Sequence, residues 1–261
     1  TSMACIRSTR VSKAKLLIKD DGIISGVDVA KKIFKEVAAA ADFEKLISDG
    51  SVVKPGDVAF YVTCPTRALL MAERLVLNTM QRMSGIATIA SLYLQEIEGL
   101  PVKILDTRKT TPGMRFLEKQ AVVHGGCHNY RAGLYDWIMI KDNHVEACGD
   151  IALAIDRVHE YLQKTQKDLS ITIEVRNLVE LQKVLDHGGV TRIMMDNFEI
   201  PILKEAVAMV NKRFETEASG GIDLHNVRAY AETGVDYVSS GALTHSAGTM
   251  DMRLKIIFSE G

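Results

Sequence analysis

The period of the hydrophobic pattern changes several times along the chain. Up to about residue 80, two short β-textured runs, Ala14–Lys19 and Ala59–Thr63, flank one helix-patterned run. In that run Val29, Ala30, Ile33, Phe34, Val37 and Ala38 recur at i, i+3, i+4, the spacing of an apolar stripe on one helix face. Asp21-Gly22, Asp49-Gly50 and Pro55-Gly56 mark turns, so this part predicts a small α+β domain. Arg67 to about Gln95 reads as a long helix or helix pair, apolar on most sides. Arg74, Asn78 and Gln81 draw one polar stripe along it, which suits a solvated face and equally a face turned to a partner or ligand.

Beyond residue 100 the pattern becomes regular. Strand-like runs stand at Val102–Leu105, Trp137–Ile140, Ile171–Val175, Arg192–Met195, Glu215–Ala218 and Tyr237–Ser239, with helix-patterned segments between them. Thr111-Pro112, Asp150, Asn177, Asn197 and Asp223 are candidate helix starts, and Gly188-Gly189 and Gly234 candidate stops. Strands alternating with helices imply a parallel sheet. The strands end on Asp106-Thr107-Arg108-Lys109, Lys141-Asp142-Asn143-His144, Glu174-Val175-Arg176, Asp196-Asn197, Ser219-Gly220-Gly221 and Ser240-Gly241. Charge at successive C-terminal ends favours a barrel, where those ends share one face, over an open sheet. Six strands are too few for the eightfold form. The expected class is therefore α/β: an incomplete parallel α/β barrel over residues 81–245, with a smaller N-terminal α+β domain over 1–80. The tail 246–261 is expected to pack back on the N-terminal domain.

Charge narrows the chemistry. The 261 residues carry 32 Lys+Arg against 33 Asp+Glu, a net charge of −1, which argues against nucleic-acid binding by bulk charge. No apolar run approaches the ~20 residues of a membrane span, and no charged-then-apolar leader opens the chain. Four cysteines without a Cys-x-x-Cys pair do not make a disulfide scaffold, so a cytoplasmic setting is expected. The chain opens at Thr1 rather than Met, in keeping with processing or trimming that removes an opening element. Between Lys103 and Lys141, however, seven cations face three acids. Lys103, Arg115 and Lys119 are expected to be solvated, as helix surfaces often carry such residues. Arg108, Lys109, Arg131 and Lys141 fall at strand ends or in a Gly-rich loop, and their convergence suits a polyanionic ligand.

Glu174 and Asp196 end consecutive strands, as caps or ion-pair partners, or as oxygen ligands for Mg²⁺ beside phosphates. Ser219-Gly220-Gly221 and Ser240-Gly241-Ala242 follow the last two strands, where barrels cradle a phosphate on backbone N–H groups. Neither Gly-x-x-x-x-Gly-Lys-Ser/Thr nor Gly-x-Gly-x-x-Gly occurs, so ATP hydrolysis and nicotinamide redox have no support. His124, Cys127 and His128, with His144 and Cys148 beyond, match no usual zinc spacing.

Taken in order, Glu73-Arg-Leu-Val-Leu-Asn78, Ser84-Gly-Ile-Ala-Thr88, Asp106-Thr-Arg-Lys-Thr-Thr-Pro-Gly113, Gly125-Gly-Cys-His-Asn-Tyr-Arg131, Lys141-Asp-Asn-His144, Glu174-Val175, Met195-Asp-Asn197, Glu217-Ala-Ser-Gly-Gly221 and Ser240-Gly-Ala-Leu-Thr-His245 resemble the quinolinate phosphoribosyltransferase family. The resemblance covers nearly the whole chain. It implies a homodimer, or a higher oligomer, in which the partner's N-terminal domain closes each site. It also implies conversion of quinolinate and phosphoribosyl pyrophosphate to nicotinate mononucleotide, pyrophosphate and CO₂ with Mg²⁺. By that resemblance Arg108, Arg131 and Lys141 hold the quinolinate carboxylates, with Tyr130 in the same pocket and Arg74 reaching over from the other subunit. Lys109 meets pyrophosphate, and Glu174 and Asp196 meet the ribose and Mg²⁺. Ser219, Gly220, Gly241 and His245 hold the 5′-phosphate. Lys109, Lys141, Glu174 and Asp196 form its catalytic set.

One position departs from the family, which reads Asn-His-Arg where this chain has Asn129-Tyr130-Arg131. Tyr is neutral near pH 7 yet still donates a hydrogen bond, so it replaces an orienting contact and not a cationic one. A related phosphoribosyltransferase for another carboxylated ring, a catalytically impaired paralogue and a binding protein on the same fold are the alternatives. Retention of the three carboxylate-binding cations, of Glu174 and Asp196, and of both Gly loops argues for the quinolinate enzyme.

Overall fold

The computed structural model describes residues 1–260, with side chains through Ile257. Its elements run α1 (Ser2–Cys5), β1 (Val11–Ile18), β2 (Gly22–Ile23), α2 (Val27–Val37), β3 (Asp42–Lys45), β4 (Val52–Val53), β5 (Val58–Pro65) and α3 (Thr66–Glu96). There follow β6 (Lys103–Leu105), α4 (Arg115–His124), β7 (Ile138–Ile140), α5 (Asp142–Cys148), α6 (Ile151–Thr165), β8 (Ile171–Val175) and α7 (Leu178–His187). The chain closes with β9 (Arg192–Asp196), α8 (Ile200–Val210), β10 (Glu215–Ser219), α9 (Val227–Ala231), β11 (Tyr237–Ser239), α10 (Ala242–His245) and β12 (Met252–Glu260). Two compact units result: Thr1–Ser91 with Thr111–Cys127 and Leu243–Gly261, and Leu92–Thr110 with His128–Ala242.

In the first unit an antiparallel sheet of order β12-β1-β5-β3 packs on helices. Strand β1 alternates strictly, burying Ser12, Ala14, Leu16 and Ile18, because side chains on a strand face opposite sides in turn. Helix α2 lays Val27, Ala30 and Phe34 against the sheet. Its first turn is capped from a distance by Asp49, which accepts from the N–H groups of Val27 (2.8 Å) and Asp28 (3.2 Å). The C-terminal strand β12 pairs antiparallel with β1 and puts Met252 and Leu254 into the same core as Leu16, Phe34 and Phe60. Helix α3 is one uninterrupted helix of 31 residues. Val76, Met80 and Met83 are buried on it, while Arg74 and Asn78 are exposed.

The second unit is a parallel six-stranded sheet of order β6-β11-β10-β9-β8-β7. The strand that comes first in the chain pairs with the one that comes last, Lys103–Leu105 beside Tyr237–Ser239. That cyclic order is the order of a barrel, with one seam, β6 to β7, left without ladder pairing among the described residues. At this seam His128 forms a lone parallel bridge to Leu105. All five residues of β8 are buried, as expected for a parallel strand covered on both faces.

Helix starts divide between expected and not. Asp150 accepts from Ala152 N at 2.9 Å and Asn177 from Glu180 N at 2.9 Å, both as expected. Thr111-Pro112 does not start a helix: α4 begins at Arg115, and the Thr111 hydroxyl is drawn instead to the Glu118 carboxylate at 2.8 Å. Asn197 is not a cap either. It adopts φ 56° and sends its N–H to the Ser219 carbonyl at 2.8 Å, while Glu199 stands at the N-cap of α8. Asp223 lies before a turn, and α9 starts after Asn226. Among the described residues no helix is long and apolar enough to cross a membrane.

Candidate active site

Register along the second unit's sheet fixes which strand ends meet. Ile140 of β7 pairs with Ile173 of β8, so the next residues, Lys141 and Glu174, fall side by side. Lys141 Nζ donates to Glu174 Oε2 at 2.8 Å, with a carboxylate almost wholly buried and a lysine half exposed. The Lys141 backbone N–H donates to His144 Nδ1 at 2.8 Å, which fixes the turn into α5 and the direction in which the lysine leaves it. One strand further on, Asp196 lies directly opposite Ser219. Asp196 Oδ2 accepts from Asn197 Nδ2 at 2.7 Å.

The cations nearest the seam are near enough to repel one another. Burial in the protein and the neighbouring Arg108 guanidinium both hold the Arg131 guanidinium below its usual range, with Tyr130 and Asp136 pulling the other way. Nε and Nη1 of Arg108 are themselves buried. Two arginines that repel each other in a partly desolvated site store electrostatic cost that a bound dianion relieves. Arg131 borders a cavity of about 330 Å³ with Leu134, Trp137, Met139 and His144, and another of about 290 Å³ with Lys103, Asn129, Tyr130 and Arg192.

Toward the opposite, N-terminal ends of the strands lies a buried network that sequence reasoning missed. The backbone N–H of Tyr130 donates to buried Asp106 at 2.8 Å. Its hydroxyl meets Thr172 Oγ1 at 2.7 Å, and the same threonine oxygen accepts from Trp137 Nε1 at 2.9 Å. Burial above all, then the charge of Glu217, pushes the Tyr130 phenol far up, so it stays protonated. Arg192, at the first position of β9, pairs with Glu215 at 2.9 Å and Glu217 at 3.1 Å. Its guanidinium lies over the rings of Tyr237 (3.7 Å), Tyr130 (5.1 Å) and Trp137 (5.2 Å). The signal available in the sequence was charge inside short parallel strands, where apolar residues are the rule.

The first glycine loop packs closely on the turn after β9. Gly220 has φ +95°, and a Cβ there would collide with the Asn197 side chain and lie 2.8 Å from its backbone N. Ser240 Oγ donates to the Ile222 carbonyl at 2.6 Å and meets the Tyr93 hydroxyl at 3.1 Å, so its side chain is engaged in holding the loop.

The N-terminal and C-terminal domain families of quinolinate phosphoribosyl transferase match residues 1–84 and 86–255. The chain belongs to the quinolinate phosphoribosyltransferase family. Quinolinate phosphoribosyltransferase [decarboxylating] 1 of Nicotiana glauca is 43% identical over 98% of this chain and 77% of its own length. The probable nicotinate-nucleotide pyrophosphorylase of Bacillus subtilis is 38% identical over 95% of this chain and 84% of its own. NadC from Streptococcus pyogenes superposes with a TM-score of 0.91 at 33% identity, over 98% of this chain and 89% of that structure. The family is one of pentosyltransferase enzymes of NAD biosynthesis, as the motif resemblance implied.

Of the sequence-derived site residues, Arg108, Lys109, Tyr130, Arg131, Lys141, Glu174, Asp196, Ser219, Gly220 and Gly241 fall in the second unit. Arg74 and His245, both exposed, fall in the first. Lys119 corrects an expectation: it is buried, with 5% of its surface exposed, and is not on a solvated helix face.

Proposed function

We propose that this protein transfers the phosphoribosyl group from phosphoribosyl pyrophosphate to quinolinate and releases pyrophosphate and CO₂, giving nicotinate mononucleotide. The observation that carries the reading is the Arg131 guanidinium, partly desolvated and held below its usual range by burial and by the neighbouring Arg108, together with the Lys141–Glu174 pair. Two guanidinium groups and an ammonium suit the two carboxylates of quinolinate better than the single carboxylate of nicotinate. Arg108, Arg131 and Lys141 then orient the ring so that its nitrogen points at C1′ of the ribose, a positioning role that needs no enzyme nucleophile. As the C1′–O bond to pyrophosphate breaks, Lys109 faces the leaving oxygens, and Ser219, Gly220, Gly241 and His245 hold the 5′-phosphate. Once the ring nitrogen is quaternary, the C2–carboxylate bond breaks, its electron pair stays on C2, and C2 takes a proton.

Mg²⁺ belongs to the same reading. Among the described residues no group of three or more His, Cys, Asp or Glu side chains is arranged to hold a metal. Glu174 and Asp196 on adjacent strands offer two carboxylates, which fits a cation that takes one or two carboxylates and completes its shell with water and substrate phosphates. When bound, it neutralises charge on the pyrophosphate. We also propose a homodimer in which Arg74 of one subunit reaches the other's quinolinate. On α3 the exposed Arg74 and Asn78 stand beside Met71 and Leu75, apolar residues 67% and 59% exposed, a face that a partner would cover. A cytoplasmic location completes the proposal.

The test is a coupled assay of purified protein with quinolinate, phosphoribosyl pyrophosphate and Mg²⁺, following nicotinate mononucleotide, with nicotinate alone and EDTA as controls. Product from quinolinate that EDTA abolishes is the expected result. Turnover of nicotinate alone points to another ring acid and sinks the reading. A silent wild type with an active Tyr130→His variant marks an impaired paralogue.

A further inference from the structure

Glu118 of α4 is a fully buried carboxylate to which the proposed chemistry assigns no task. A buried charge persists only when paired and hydrogen-bonded, and the partner here is Arg82 of α3, whose Nε and Nη2 donate to Glu118 Oε1 at 3.0 and 2.9 Å. The remaining bonds of the pair go elsewhere. Thr111 donates its backbone N–H to Glu118 Oε2 at 3.0 Å and its hydroxyl to Oε1 at 2.8 Å. Arg82 donates from Nη1 to the Ala247 carbonyl at 2.7 Å and from Nη2 to the Thr244 carbonyl at 2.6 Å. A pair that served only to join α3 to α4 would need no more than its mutual contact. Here two bonds join the pair and four reach out to two segments far apart in sequence.

Both segments matter to the reaction proposed above, on which this inference rests. Thr111 stands two residues after Lys109, and Thr244 and Ala247 bracket His245 and Ser246. All four outward bonds involve an ionised partner, the short and strong kind. Neither segment lies in a strand: Thr111 lies between β6 and α4, Thr244 in the four-residue α10, and Ala247 between α10 and β12.

We propose that Arg82 and Glu118 are positioning residues for phosphoribosyl pyrophosphate. From one buried ion pair they fix the backbone beside Lys109, assigned to the pyrophosphate, and the backbone beside His245, assigned to the 5′-phosphate. They touch no substrate themselves. Small displacements of positioned groups cost rate or affinity steeply, and a loosened clamp acts on the binding of this one substrate. Of the cations assigned to quinolinate, Arg131 and Lys141 lie on other segments, and Arg108 stands one residue further from Thr111 than Lys109 does.

Variants of Thr111 test this without removing either charge. With wild-type kinetics as reference, Thr111→Ala, which loses one hydroxyl-to-carboxylate bond, is expected to raise KM for phosphoribosyl pyrophosphate about five- to tenfold, with KM for quinolinate within about twofold. Thr111→Ser keeps the hydroxyl and should restore KM to within about twofold of wild type. Arg82→Lys, which keeps the charge but not the fork, should move the same parameter further. Urea unfolding run alongside separates folding from positioning, and if Arg82→Lys does not fold, the two Thr111 variants decide. A folded Thr111→Ala enzyme with unchanged KM for phosphoribosyl pyrophosphate, or with both KM values raised equally, overturns the inference and leaves the reaction standing. A wild type inactive with both substrates overturns the reaction and the inference together.

Discussion

Arg192→Met tests whether the charge buried under the site behaves as a matched set. Arg192 is 5% exposed and held by Glu217, whose side chain is wholly buried, and by Glu215, whose side chain is 40% exposed. Met fills much of the same space and packs well on the rings of Tyr237, Tyr130 and Trp137. The substitution therefore acts chiefly by leaving a carboxylate without its cation. Glu215 relaxes into water at little cost, but Glu217, wholly buried, has no such escape. Removing one partner of a buried pair costs about 3–5 kcal/mol. Burial holds the Glu217 carboxyl above its ordinary range, and Arg192 is the main force pulling it down. A carboxyl raised in this way stabilises the fold fully below its unfolded pKa of about 4.3, and that stability is lost as pH rises through the folded pKa. Losing Arg192 raises the folded pKa further, so the deficit of the variant should grow with pH. Urea unfolding at pH 5, 7 and 8.5 should find the full loss at the alkaline end and a smaller one at the acid end. The double variant R192M/E217Q should recover at least half of the alkaline loss and show no slope. A deficit that does not vary with pH, or a double variant no better than the single one, refutes the reasoning.

Gly220→Ala places a Cβ against Asn197 at φ +95°, so it should cost about 1–2 kcal/mol of stability in a denaturant titration. It should also raise KM for phosphoribosyl pyrophosphate while leaving KM for quinolinate near wild type, and equal changes in both would argue against a phosphate role for this loop. Arg131→Lys puts an amine where burial and Arg108 already depress a guanidinium, so its charged form should be lost as pH rises. KM for quinolinate should then climb between pH 6 and 9 in the variant and stay flat in the wild type, and parallel profiles would remove Arg131 from the carboxylate site.

Much of this architecture was legible in the chain. The strands Ile171–Val175 and Tyr237–Ser239 stand where hydrophobic runs and turn signals put them, and the helix over Val27–Val37 follows its apolar stripe. The charged residues at the strand ends also follow, since a strand of known direction fixes which residue comes last. These are local properties: a residue's burial along one element is set by the period of that element, and the period is written in neighbouring residues. Three things were decided only in three dimensions. Thr111 and Asn197 look like helix caps, yet each spends its polar groups on a partner brought near by folding, Glu118 for one and the Ser219 carbonyl for the other. Lys119, polar by type, is buried. Tyr130, Thr172, Arg192, Glu217 and Tyr237 meet although each belongs to a different segment or strand, because the parallel register β8-β9-β10-β11 aligns them. Pairing energy between charges depends on distance and on the surrounding dielectric. Neither quantity exists for two residues until the sheet has curled and shed its water, which is why periodicity and the charged strand ends announced the barrel while the ionic network inside it had to be seen.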